Sequence, residues 1–74
     1  MAKGRSLSDV LKLLYDHEIN VTLSSFWDGG WLVQIGDISN GFRASQNFRD
    51  EDFGAIPDWL WAETQRVCRV TFDR

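Results

Sequence analysis

Few side chains in this 74-residue chain could do covalent or acid–base chemistry. Nucleophilic catalysis needs a nucleophile, a base and an orienting group in contact. His17 is the only histidine and falls at the expected end of a helix, where an exposed or capping role is the ordinary one. Ser24 and Ser25 sit in a strand pattern without the strand-to-helix elbow that activates a serine. Cys68 points toward the core or its edge, where a cysteine behaves as a small apolar residue. Asp37, Ser39 and Gly41 echo an ion-binding loop, but no acidic closing residue follows, so a plain turn is the better reading. Gly29-Gly30 has neither the lysine nor the context of a phosphate loop. Clustered carboxylates occur only as Asp50, Glu51 and Asp52, which fit the solvated start of a helix. A non-enzymatic protein without cofactor or metal is expected.

The elements that would carry these residues follow from periodicity. Ile19, Val21, Leu23 and Trp27 are apolar at odd positions, with Asn20, Thr22 and Ser24 polar between them. Trp31, Val33 and Ile35 continue the odd apolar set beyond Gly29-Gly30. Alternation of this kind marks half-buried strands. A loop of Asp28, Gly29 and Gly30 pairs Trp27 with Trp31, Ser25 with Val33 and Leu23 with Ile35, placing the odd residues on one face. Gly30 then takes the left-handed position at little steric cost. This register stacks the two tryptophans and sets Phe26 opposite Leu32 on the outer face. Farther on, Asn40-Gly41 signals a two-residue type I′ turn, which pairs Ile35 with Gln46 and Val33 with Phe48. Phe42, Ala44 and Phe48 join the buried face. Arg43, Ser45, Asn47 and Arg49 fall on the outer one.

Helices flank these strands. Ser6 is a good N-cap with Asp9 three residues on, and Leu7, Val10, Leu11 and Leu14 form an apolar stripe, predicting a helix over 7–16. Pro57 suits a first helical turn, with Asp58 complementing the dipole. Ile56, Leu60, Thr64, Val67 and Thr71 share a narrow arc, predicting a second helix over 57–69. Phe72 is expected to fold back on it. The fold expected is α+β: helix, three-stranded antiparallel meander, helix (αβββα), both helices on one sheet face. Residues 6–72 form the single domain and residues 1–5 a disordered tail.

Composition narrows the class. Seventy-four residues make one small domain, and the four tryptophans and five phenylalanines supply much of its buried area. The lone cysteine excludes an internal disulfide and points to a reducing, cytoplasmic setting. No apolar run reaches the roughly 18 residues of a membrane span, and the basic start leads into Ser6 rather than an apolar leader.

The element order is also that of double-stranded-RNA-binding domains, which place basic residues near the start of their second helix. Here that place holds Asp50, Glu51, Asp52 and Asp58, and the chain carries a net charge of -3. Nucleic-acid binding is therefore the alternative rather than the leading reading. The segment Leu23-Ser24-Ser25-Phe26-Trp27-Asp28-Gly29-Gly30, with Gly36-Asp37 and Asn40-Gly41-Phe42, resembles a group of small proteins of alphaproteobacteria and their phages that share an F-W-D-G-G hairpin. The resemblance covers about residues 11–48, and Trp31 departs from it. It implies a bacterial or phage origin and a cytoplasmic location, with no activity attached. The leading expectation is a protein-binding module, such as a phage or mobile-element inhibitor or accessory acting on a host protein. Its candidate contact residues are Phe26, Leu32, Arg43, Arg49, Asp50, Glu51 and Asp52. A homodimer through the outer sheet face or a free strand edge is a further alternative.

Overall fold

A computed structural model describes residues 5–37, 39 and 41–72. Helix α1 spans Leu7–Asp16 and is followed by strands β1 (Val21–Phe26), β2 (Gly30–Asp37) and β3 (Gly41–Phe48). A short 3-10 helix, Asp50–Ala55, leads into α2, Ile56–Cys68. The strands form an antiparallel meander in the order β1-β2-β3, so the expected αβββα architecture is the one observed.

The Ser6 hydroxyl accepts the Asp9 N–H at 3.1 Å, starting α1 as its sequence predicts. The helix stops by reversal. The Glu18 N–H bonds the Tyr15 carbonyl at 3.0 Å and the Ile19 N–H the Leu14 carbonyl at 2.9 Å. This is a Schellman cap, whose left-handed position normally holds glycine. Here Glu18 occupies it, at φ 60. Helix α2 ends in a left-handed residue too, Arg69 at φ 57.

The core fills one layer between sheet and helices. Val10 and Leu14 of α1, Val33 and Ile35 of β2, Phe48 of β3 and Ile56 and Leu60 of α2 are buried in it. Phe72 folds back as expected: its N–H bonds the Gln65 side-chain oxygen at 2.9 Å and its ring meets His17 edge-on at 4.9 Å. Arg5 is no part of a loose tail. Its guanidinium lies 3.7 Å from the Trp61 ring centre and 3.5 Å from Asp58, because a cation gains from both a π face and a carboxylate. The rest of the expected tail, residues 1–4, lies outside the described residues, as do Asp73 and Arg74, which were expected to fray.

Both hairpin registers differ from expectation by two residues. Ser25, not Trp27, pairs with Trp31, and Leu23 pairs with Val33. The turn therefore contains Trp27, Asp28 and Gly29, closed by the Gly29 N–H on the Phe26 carbonyl at 2.8 Å. A shift of two preserves the face of every side chain, so alternation alone cannot choose between these registers. The folded structure shows which register is taken. Gly30, at φ 91, begins β2 with its Cα against the Phe48 carbonyl oxygen and the Arg49 Cα, where a Cβ would overlap. The positive φ foreseen for Gly30 is thus observed, in a different register.

In the second hairpin Val33 pairs with Gln46 and Ile35 with Ala44, again two residues from the expected partners. The ladder then slips, because Gly36 pairs with Phe42 and leaves Arg43 as an extra residue in β3. Pairing of Asp37 with Gly41 leaves three residues between the strands instead of a two-residue turn. Asn40 itself lies outside the described residues. Ala44 and Phe48 pack on the core as predicted. Phe42 does not: past the bulge it is 43% exposed.

Two substitutions test this packing. Thr64 is fully buried, and its hydroxyl has no hydrogen-bond partner among the described residues. Thr64→Val should raise unfolding stability by about 1 kcal/mol, since it removes an unpaired polar group at constant volume. Gly36→Ala should lower it by roughly 2 kcal/mol, from left-handed strain plus a clash. The new Cβ would lie 2.7 Å from the Gly41 carbonyl oxygen. Denaturant melts of both variants check the pair.

Candidate functional site

The candidate contact residues separate along the sheet into two groups. At the β1–β2 turn end, Phe26 pairs with Gly30, and Leu32 lies between Ser24 and Asn47. Phe26 is therefore diagonal to Leu32, not opposite it. Leu32 is half-buried and Phe26 48% exposed. Arg43 was expected beside them. It stands instead at the far end of the sheet, in the bulge near the start of β3, where it lines a cleft with Glu18 and Arg69.

The residues following β3 lie at the turn end, because the Gly30 backbone packs on Phe48 and Arg49. Arg49 caps the 3-10 helix and its guanidinium donates to Glu51. Trp31 covers the same helix: its ring lies 4.7 Å from that of Phe53, and its indole N–H donates to the Asp50 carboxylate at 3.3 Å. One of the three acids is thus an acceptor fixed by a tryptophan, and another is paired with Arg49. All three are exposed, and among the described residues no basic side chain other than Arg49 pairs with them.

The residue that sequence reasoning missed is Trp27. It was expected to stack on Trp31 and close the core, but sits in the turn, 98% exposed. A large apolar side chain held almost wholly in water on a tight turn contributes nothing to the core. The available signal was that Trp27-Asp28-Gly29 is as good a turn as Asp28-Gly29-Gly30 under the same parity. With Phe26 beside it in the chain, Trp27 makes an aromatic tip. Asp28 follows in the turn, and Asp50, Glu51 and Asp52 stand at the same end of the sheet.

Elsewhere the chemistry is sparse. Glu63 and Arg66 pair on the outer side of α2, and this hydrogen bond holds the Glu63 carboxyl below the usual carboxylate range. His17 forms the C-cap of α1 with its Nδ1 3.0 Å from the Leu13 carbonyl oxygen, the terminal role its position predicts. Cys68 is half-buried against the core. Among the described residues no group of three His, Cys, Asp or Glu is arranged to hold a metal, and no helix is long and apolar enough to cross a membrane.

If Trp27 has no part in folding, Trp27→Ala should change unfolding stability by less than about 0.5 kcal/mol. The same substitution should remove the red-shifted, readily quenched part of the tryptophan emission, which the three half-buried tryptophans cannot supply. A large stability loss would show that the ring packs. No protein-family model, no curated protein and no solved structure matches the chain.

Proposed function

We propose that the chain is a small, non-enzymatic protein-binding module that docks through the turn end of its sheet. The observation that carries this is Trp27, 98% exposed at the tip. Tryptophan is the residue most often found to dominate an interface, where its ring fills an apolar pocket of the partner. Phe26 and Leu32 widen the apolar contact on the same end of the outer face. Asp28, Asp50, Glu51 and Asp52 border it with negative charge, of which the Arg49–Glu51 pair neutralises a part.

This surface fits a protein with an apolar pocket rimmed by lysine or arginine, and its charge would speed encounter with such a partner. Host proteins that handle nucleic acids carry basic surfaces of that kind. Together with the resemblance to phage-associated proteins, this supports an inhibitor or accessory protein acting on a host factor inside a bacterial cell. The alternative, nucleic-acid binding in the manner of double-stranded-RNA-binding domains, is opposed by the same acids. They stand where such a domain needs cations to meet phosphate.

The test is capture of partners from bacterial lysate by the intact chain, followed by measured affinities for each protein retained. A true partner should bind Trp27→Ala about 30-fold more weakly. It should also lose affinity in Asp50→Asn/Glu51→Gln/Asp52→Asn and as salt is added. Equal binding of all three proteins would sink the surface assignment. Salt-sensitive binding of labelled duplex RNA, unaffected by these substitutions, would replace the reading with the nucleic-acid one.

A further inference from the structure

The far end of the sheet holds a second arrangement that protein docking at the Trp27 tip does not use. Between the end of α1, the bulged end of β2 and β3 and the end of α2 lies a half-open cleft of about 520 Å³. That is within the roughly 300–1,000 Å³ range of small-ligand sites. Five described residues have a left-handed backbone, and four of them, Glu18, Gly36, Gly41 and Arg69, line this one cleft. Two of the four are not glycine. Each costs about 1 kcal/mol or more against a glycine in the same place. Helix caps explain the conformation of Glu18 and Arg69 but not their side chains. A charged residue stands in both places where glycine would be cheaper, and both face the same opening. Strain of this sort gathers at functional sites.

The charges give the cleft its chemistry. Arg5, Arg49 and Arg66 each pair with a carboxylate. Arg43 and Arg69, which line the cleft from the β3 bulge and the α2 cap, pair with none among the described residues. The extra residue of the bulge is Arg43 itself, and re-aiming a side chain is a known use of such a bulge. Ile19, Val67 and Val70 supply apolar wall. Glu18 subtracts one charge from the two arginines. The surplus of one positive charge suits a compact anion rather than a phosphate chain.

We propose that this cleft binds a small organic anion, a carboxylate or phosphate monoester on an apolar body, with Arg43 and Arg69 holding its charged end. A guanidinium presents two parallel N–H groups that match either anion, and free guanidinium groups on separate elements can clamp it from two sides. The apolar body lies along Ile19, Val67 and Val70. Glu18 faces the cleft as the counter-charge that rejects polyanions and accepts a hydrogen-bond donor on the ligand.

Amide NMR of the intact chain, titrated with phenyl phosphate, benzoate and the neutral benzyl alcohol, tests this. At least one of the two anions should bind saturably with a Kd of about 1 mM or tighter, shifting amides at 18–20, 36, 41–43 and 67–70. Which anion does so identifies the headgroup. Arg69→Gly removes the guanidinium and suits the left-handed backbone, so the fold is kept, and it should weaken binding about tenfold. Arg43→Gln should act alike, whereas Arg66→Gln, away from the cleft, and Trp27→Ala should not. The proposal is overturned if neither anion saturates by about 20 mM, if benzyl alcohol binds as well as both, or if Arg69→Gly binds like the parent chain. Should Arg43→Gln fail to fold, Arg69→Gly decides alone. Loss of partner capture in Trp27→Ala with anion binding intact would separate the two surfaces.

Discussion

A chain of 74 residues has apolar surface enough for one packed layer, and here the layer lies between one face of a three-stranded sheet and two helices. Its centre is the cluster of Val33 and Ile35 on β2 with Ile56 and Leu60 on α2, all buried, as is Thr64 on the same helix. Because β2 is the central strand, its odd face can be covered only if β1 and β3 bring their apolar residues to the same side. The two turns must therefore deliver matching parity. The helices are held by the layer in turn: α1 enters it through Val10 and Leu14, and Phe72 closes it after α2. With so small a core, one buried hydroxyl, that of Thr64, is a noticeable fraction of the whole stability.

Covering one face leaves the other open, and the open face does not behave uniformly. Its middle rows, Thr22–Gln34–Ser45 and Ser24–Leu32–Asn47, are short or uncharged side chains. The distinctive residues have moved to the two ends. At one end the turn displays Trp27 near a set of carboxylates. At the other a bulge and two strained caps surround a cleft whose arginines pair with no carboxylate among the described residues. The acidic end and the arginine-bearing end lie roughly the length of β2 apart. A protein surface and a small-anion site on the same chain would thus be in reach of separate ligands, joined through the three strands and α2.

The strain in the fold is distributed accordingly. Gly30 is required by a close approach, since any side chain there would overlap the Phe48 carbonyl. Gly36 is required likewise by Gly41. Glu18 and Arg69 are different, because nothing in the backbone demands a side chain at φ 60 or 57. Glycine would serve the caps better. The presence of charge at both positions is the main physical reason to look for a ligand between them.

Much of this architecture is legible in the residues alone. The Ser6 cap, the stripe of Leu7, Val10, Leu11 and Leu14, Pro57 in the first turn of α2 and the alternation of β1 and β2 are local or periodic signals. Local hydrogen bonding and side-chain periodicity suffice to determine element order and the buried face. Of the candidate contact residues, the outer face of Phe26 and Leu32 followed from parity, whereas the gathering of the acids at the same end and the place of Arg43 at the other came from the structure. What only the tertiary structure decided is the register, and with it the fate of the individual aromatics. Alternation is unchanged by a shift of two residues, so it could not say whether Trp27 stacks in the core or stands in water, nor reveal the bulge that exposes Phe42 and turns Arg43 toward the cleft. That choice is made by the pairing of strands in the folded chain and by close approaches such as that of Gly30 to Phe48 and Arg49, which no local pattern encodes.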